Sequence, residues 1–334
     1  MKATETIISP PVHTDSATSP LLSSSSSSVP AAARDDELVL EDSDDEFVDQ
    51  FLESKWQDGV ETGLTVSWPT LPITASLGLS TQLPESSMAP LFDGTGWAGT
   101  RVWKAALLAV QYMEQEYLSK KQDGHNPLSL LELGCGLGVP GMLWHQLQKN
   151  QHSKINNNST TILFPSFYKV VLTDRPSLLS QLQGNLERNF PNDPQIMADA
   201  LDWSPEGVRK LLLRLNDESC DQGNNDNLHD DTTTKISLSS YFSFDICLNC
   251  DCIYEPLYGR DSWMALADVL ITLAEISPRT VIITSVERRT ADGLENFLDR
   301  INQSPFIGTT ERVMRNDDDK HHIIEVYVTR PANE

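Results

Sequence analysis

Basic residues are scarce in this chain: 25 Lys and Arg stand against 48 Asp and Glu, a formal net charge of −23. Nucleic-acid binding needs a basic patch, and no cluster here exceeds neighbours such as Arg288-Arg289, so nucleic acid is excluded as a partner. Long apolar runs are missing too. No segment reaches the eighteen or so residues of a membrane span, and Met1-Lys2 leads into polar residues rather than the apolar core of a secretory signal. Cysteine is limited to five, an odd number that suits free thiols better than a secreted disulfide framework. The expectation is a soluble, cytoplasmic protein, with the nucleus as a second compartment, that works as a monomer.

The acids are unevenly spread. Residues 1 to 34 are dominated by Ser, Thr, Pro and Ala, and residues 35 to 49 hold nine carboxylates and no base. Another six acids and no base fall within 216 to 231. These two acidic segments carry most of the net charge, which leaves the remainder mildly acidic and suited to a basic protein partner. The spacing predicts a disordered tail over residues 1–60, a single domain over 61–334, and polar insertions at about 150–161 and 216–235.

From residue 60 onward short apolar runs alternate with helical patterns, the signature of an α/β sheet with crossover helices. Strands are predicted near 129–133, 168–173, 195–200, 242–250 and 280–286, then near 309–314 and 323–329 as a hairpin turning at 316–320. Helices are predicted over 99–117, 139–149, 176–189, from 205, and over 261–276 and 291–301. The fold class is therefore α/β: a Rossmann-like, seven-stranded, mostly parallel sheet with a C-terminal antiparallel hairpin and helices on both faces.

The most informative stretch is Leu130-Leu131-Glu132-Leu133-Gly134-Cys135-Gly136-Leu137-Gly138-Val139-Pro140-Gly141. A buried strand, a glycine turn that lets a ligand approach the backbone, and Pro140 in the first turn of a helix together make a cofactor cradle. A dinucleotide fingerprint requires GxGxxG, and position 139 is Val, so the third glycine is absent from its place. Glu132, just before the turn, would repel a pyrophosphate and attract a sulfonium or an amine. The pattern favours S-adenosyl-L-methionine.

Ligands of open α/β sheets sit at the carboxyl ends of the strands. Asp174, Asp202-Trp203 and Asp251 with Tyr254 all fall there. Asp174 suits ribose hydroxyls and Trp203 suits a flat base. Asp174 before Pro176 also fits a helix cap, and Trp103 and Trp203 fit plain core packing. Cys247 and Cys250 lie three apart on a strand and face opposite sides, so they make a poor metal pair. The hairpin acids beside His321-His322 read as solvated, and no metal is expected.

In their order and spacing, several motifs resemble the class I seven-β-strand methyltransferases, specifically the family 16 protein-lysine methyltransferase group. They are Gly99-Thr100-Arg101-Val102-Trp103-Lys104-Ala105-Ala106, Leu131 to Gly138, Leu172-Thr173-Asp174 with Leu179, Leu182, Asn185 and Asn189, Leu201-Asp202-Trp203, Asp251-Cys252-Ile253-Tyr254, and Ser285-Val286-Glu287-Arg288-Arg289. The resemblance covers about residues 94–330.

It implies a cofactor site formed by Trp103, Glu132, Gly134, Cys135, Gly136, Asp174, Asp202, Trp203 and Cys250. In that site Trp103 covers the methionine end, the glycines approach with backbone, Asp174 holds the ribose, Trp203 packs near the adenine, and Cys250 lines the pocket. Asp251 is expected to position the substrate amine and assist proton loss, with Tyr254 walling the slot. A free lysine titrates near 10.4, so presenting its neutral amine at pH 7 costs about 4.6 kcal/mol, which the site has to reduce. The implied activity is protein-lysine N-methylation of a client such as a chaperone, an AAA ATPase or a translation factor. A small-molecule or N-terminal amine methyltransferase, and a non-catalytic interaction module, stay open as alternatives.

Overall fold

A computed structural model describes residues 50–57, 60–70, 73–80, 96–119, 126–155, 168–220, 241–319 and 322–332. All of these fall in one unit of the chain, 44–334. Its centre is a seven-stranded sheet built from β4 (Leu130–Leu133), β5 (Val170–Asp174), β6 (Ile196–Ala200), β7 (Ile246–Cys250), β8 (Val281–Arg288), β9 (Ile307–Asp319) and β10 (His322–Pro331). Their spatial order is β6-β5-β4-β7-β8-β10-β9, parallel from β6 to β8, with β10 antiparallel to both β8 and β9. This is the expected doubly wound sheet with its antiparallel hairpin.

The sequence makes this sheet by being apolar on both faces. Every residue of β4 is buried; Leu130 joins the core on one side, and Leu131 and Leu133 join the core on the other. Strand β7 alternates in the same way, with Leu248 on one side and Cys247 on the other, so Cys247 and Cys250 face opposite layers as expected. The first layer holds α1 (Lys104–Met113), α2 (Val139–Ile155) and α3 (Pro176–Asn189); the second holds α4 (Pro205–Cys220), α6 (Arg260–Ile276) and α7 (Leu294–Asn302). A single turn, α5 (Glu255–Tyr258), precedes α6.

Several boundaries differ from the sequence reading. The folded part begins before residue 60: β1 (Leu52–Gln57), β2 (Val60–Thr70) and β3 (Ile73–Leu79) form a separate antiparallel sheet. It buries Leu64, Val66, Trp68, Leu77 and Leu79 in the first layer. The amide side chains of α3 grip its edge. Gly78 and Ser80 donate their N–H groups to Asn189 and Asn185 at 2.8 and 2.7 Å, and Gln181 donates to the Ser80 carbonyl at 3.2 Å.

Residues 150–155, expected in an insertion, continue α2, where Gln151 donates to the Leu118 carbonyl at 3.1 Å. Likewise 216–220 extend α4, whose Leu211, Leu212 and Leu215 are buried and carry the helix onward. Residues 316–319 belong to β9 rather than to a turn, with Asn316 opposite Ile324. The expected helix over 99–117 is broken. A 3-10 turn (Gly96–Thr100) precedes α1, and a π turn (Glu114–Leu118) follows it. A Cβ on Gly99 would sit 2.2 Å from the Leu178 side chain, so the 3-10 turn packs directly against α3. The part of the expected tail at 1–49 and the parts of the expected insertions at 156–161 and 221–235 lie outside the described residues. Among the described residues, no helix is long and apolar enough to cross a membrane.

Candidate functional site

The carboxyl end of β4 opens into Gly134, Gly136 and Gly138, with φ of 62°, 53° and 75°. Left-handed backbone favours glycine, and space matters as much as strain. A Cβ on Gly134 would lie 2.8 Å from Cys252 Sγ and 3.0 Å from Trp203 Cζ2, and one on Gly136 would meet the Gly99 carbonyl at 3.0 Å. The turn thus exposes bare backbone in a cradle that side chains would fill.

One cleft collects the strand ends around it. Trp103, Glu132, Gly134, Cys135, Gly136, Asp174, Asp202, Trp203, Cys250 and Asp251 all line it. These are ten of the eleven residues singled out in the sequence. Tyr254 does not line the cleft; its ring stands beside it, under the Arg289 guanidinium at 5.0 Å. Arg101, Tyr258 and Ser262 line the cleft as well. The sequence reading did not single them out, although Tyr258 follows Tyr254 by one helical turn.

Glu132 is 1 % exposed, and its Oε2 accepts the Gly141 N–H at 2.9 Å in the first turn of α2. Burial pushes its pKa up to about 8, and the Asp174 charge adds to the rise against the Gly141 hydrogen bond. Asp174 accepts the Gly136 N–H on Oδ2 and the Arg175 N–H on Oδ1, each at 2.7 Å. Burial raises its pKa while those two backbone donors pull it down. The N-cap of α3 is Arg175, so Asp174 braces the glycine turn instead of capping the helix. Burial also pushes up the thiols of Cys135, Cys250 and Cys252, so the sulfur atoms around the cleft are neutral.

Trp103 is the N-cap of α1 in extended backbone, not a residue of the helix face, and its indole N–H donates to the Ala98 carbonyl at 2.9 Å. That bond orients the ring at the edge of the cleft. Asp251 sits in the left-handed region at φ 53° and is 5 % exposed. Its Oδ1 and Oδ2 accept Arg289 Nη1 and Nη2 at 3.0 and 2.8 Å, and Oδ1 also accepts the Glu287 N–H at 3.1 Å. Burial raises the Asp251 carboxyl, and the fork with Arg289 opposes the rise. Asp251 and Glu287 hold Arg289 firmly charged, raising it despite its own burial.

The donor set fits S-adenosylmethionine. The bare turn admits a close approach, and Glu132 is a buried carboxylate facing the cleft, suited to a cation. Asp174 is a held carboxylate at the end of β5, of a kind that suits ribose hydroxyls, and Trp203 is a half-buried ring beside the turn.

A lysine methyltransferase family model matches residues 93–217. The chain is 33 % identical over 139 residues to secreted RxLR effector protein 48 of Plasmopara viticola, covering 39 % of this chain and 58 % of that protein. It is 27 % identical over 227 residues to EEF1A lysine methyltransferase 3 of Xenopus tropicalis, covering 67 % of this chain and 73 % of that one. The match reaches the glycine turn, Asp174 and Trp203 together. The family match, the Xenopus relative, the seven-stranded sheet and this cleft together support a class I, S-adenosylmethionine-dependent methyltransferase of the family 16 group.

Proposed function

We propose that this chain methylates the side-chain amine of a lysine in a client protein. The observation that carries the reading is the position of Asp251: a buried carboxylate at the end of β7, lining the cofactor cleft, with the Trp103 and Tyr254 rings flanking its Arg289 partner. A buried carboxylate whose cationic partner is flanked by two aromatic rings suits an amine on a long apolar stem. The description of the family and the name of the Xenopus relative support the same acceptor.

When bound, S-adenosylmethionine supplies a methyl carbon on a cationic sulfur, and the amine's lone pair forms the N–C bond as the C–S bond breaks and its electrons stay on sulfur. Gly134 and Gly136 leave room for the cofactor, Asp174 receives the ribose hydroxyls, and Glu132 answers the positive charge. Trp203 packs against the base and Cys250 lines the methyl end. Asp251 accepts a hydrogen bond from the amine and so orients its lone pair. Its fork with Arg289 suits this orienting role better than proton removal, because both oxygens are already engaged; the amine's proton passes to water. Tyr254 closes the slot from the side.

Purified chain incubated with methyl-labelled cofactor and cell extract, followed by mass spectrometry, tests the reading. Label on a lysine Nζ is expected, and a translation elongation factor is the first client to inspect, given the name of the Xenopus relative. Label confined to a metabolite or to protein N-termini overturns the lysine assignment.

A further inference from the structure

We propose that Arg289 is a positioning residue that builds the acceptor slot and keeps Asp251 from trapping the incoming amine as an ammonium ion. The inference rests on the reading that the acceptor is an amine. Nothing in the local sequence assigns Arg289 this task; the sheet does. Parallel pairing places Cys250 opposite Ser285, so the turn after β7 and the end of β8 run side by side, and residues 251 and 289 meet across 38 positions.

A single guanidinium then organises three parts of the site. It forks onto both oxygens of Asp251 at 3.0 and 2.8 Å. It lies 5.7 Å from the centre of the Trp103 ring and 5.0 Å from that of Tyr254, so both aromatic walls share one cation between them. A third bond, Nη2 to Glu287 Oε2 at 2.6 Å, ties it back to β8. Glu287 is held in turn by His322 of β10, whose Nδ1 stands 2.6 Å from Oε1. The fork is planar and bidentate, which a lysine ammonium cannot reproduce.

The electrostatic consequence follows from what faces the slot. Asp251 and Glu287 are acidic, Arg289 is cationic, His322 sits behind Glu287, and the phenols of Tyr254 and Tyr258 stand nearby. With Arg289 in place, an amine meets Asp251 as half of a paired charge. Without it, the Asp251 carboxylate faces the slot unpaired, with the Glu287 carboxylate close behind, and an amine binding there is held in its charged form, which has no lone pair to give.

The test compares the wild type with Arg289→Lys and Arg289→Met. Calorimetry with S-adenosylhomocysteine comes first, and affinity within about threefold is expected for all three, because Arg289 does not line the cofactor cleft. Methyl transfer to the acceptor identified by labelling is then followed from pH 6.5 to 10. For Arg289→Met we expect a loss of about 100-fold at pH 7.5, together with a rise in rate displaced to alkaline pH by about one unit or more. Arg289→Lys keeps the charge and loses the fork. It is expected to lose rate while its pH profile stays on that of the wild type, and it remains informative where the Met variant does not fold.

A Met-variant profile that overlays the wild type overturns the proposal, and so does a cofactor affinity that collapses in both variants. If the wild type labels an amine other than lysine, the same comparison on that amine still decides the role of Arg289, and only the lysine reading fails. If the label sits on carbon, oxygen or sulfur, both fall.

Discussion

The two halves of the cleft are made of different material. The cofactor half is backbone: three glycines with positive φ, braced by the Asp174 and Glu132 carboxylates through the N–H groups of Gly136 and Gly141. The half proposed for the acceptor is side chain: Asp251 and Trp103 line the cleft, and Arg289, Glu287 and Tyr254 stand behind them, drawn from three distant stretches of sequence and joined by ion pairs and ring contacts. A backbone half tolerates no added volume, whereas a side-chain half tolerates volume and fails on charge. The two are therefore separable by mutation.

The largest effect is expected where backbone cannot yield. Gly134→Val places a β-branched side chain in left-handed backbone and drives it against Cys252 and Trp203. Cofactor affinity, read by calorimetry, is expected to fall by about 100-fold or more, with the melting temperature also lowered. Gly184→Val, at an open position on α3, is the matched control and should leave affinity near that of the wild type.

A smaller, pH-dependent effect belongs to Glu132. Its folded pKa of about 8 lies above its ordinary value, so the folded free protein binds a proton that the unfolded chain has released. The resulting contribution to stability is present below about pH 4.5 and declines until pH passes 8. A cation entering the cleft favours the ionised form, so affinity for S-adenosylmethionine should rise between pH 6 and 8, and binding should release a proton. In Glu132→Gln both slopes should flatten, as chemical denaturation and calorimetry in buffers of different ionisation enthalpy can read.

The smallest effect is expected at the far end of the sheet, away from either half. His145 is fully buried, with Nδ1 2.9 Å from the Tyr168 hydroxyl and Nε2 3.0 Å from Asp193 Oδ2, which also takes the Lys149 ammonium at 2.8 Å. Burial lowers the His145 pKa against the pull of Asp193. The unfolded chain therefore takes up a proton first, and the stability that is present above about pH 6.5 is lost as the pH falls. A loss of stability between pH 6.5 and 5.5, measured by urea denaturation, should disappear in His145→Gln. Cofactor affinity at pH 7.5 should be unmoved by that substitution.

The same contrast explains what could be read in the sequence. Gly134, Glu132, Asp174 and Trp203 were legible because each lies in or just beyond a strand, and the rule for open sheets gathers strand ends without knowledge of side-chain partners. Asp251 was legible as a position, but its pairing with Arg289 was not, since that depends on β7 and β8 being neighbours in register. The apolar spacing of Val102, Ala106, Ala109, Met113 and Tyr117 predicts a helix that includes Trp103; the close packing of Gly99 on Leu178 is a tertiary contact that no local pattern reports. The small sheet was missed for another reason. Leu64, Val66 and Trp68 alternate with Thr65 and Ser67, a strand signal, but a short one that directly follows a long polar and acidic stretch.

The most direct test of two separable halves is Asp251→Asn, assayed for S-adenosylhomocysteine affinity and for methyl transfer on one preparation. Affinity within about threefold of the wild type, with transfer reduced by about 100-fold, is the result expected if Asp251 serves the acceptor alone. Affinity and transfer falling together by the same factor, or transfer continuing at the wild-type rate, would contradict it.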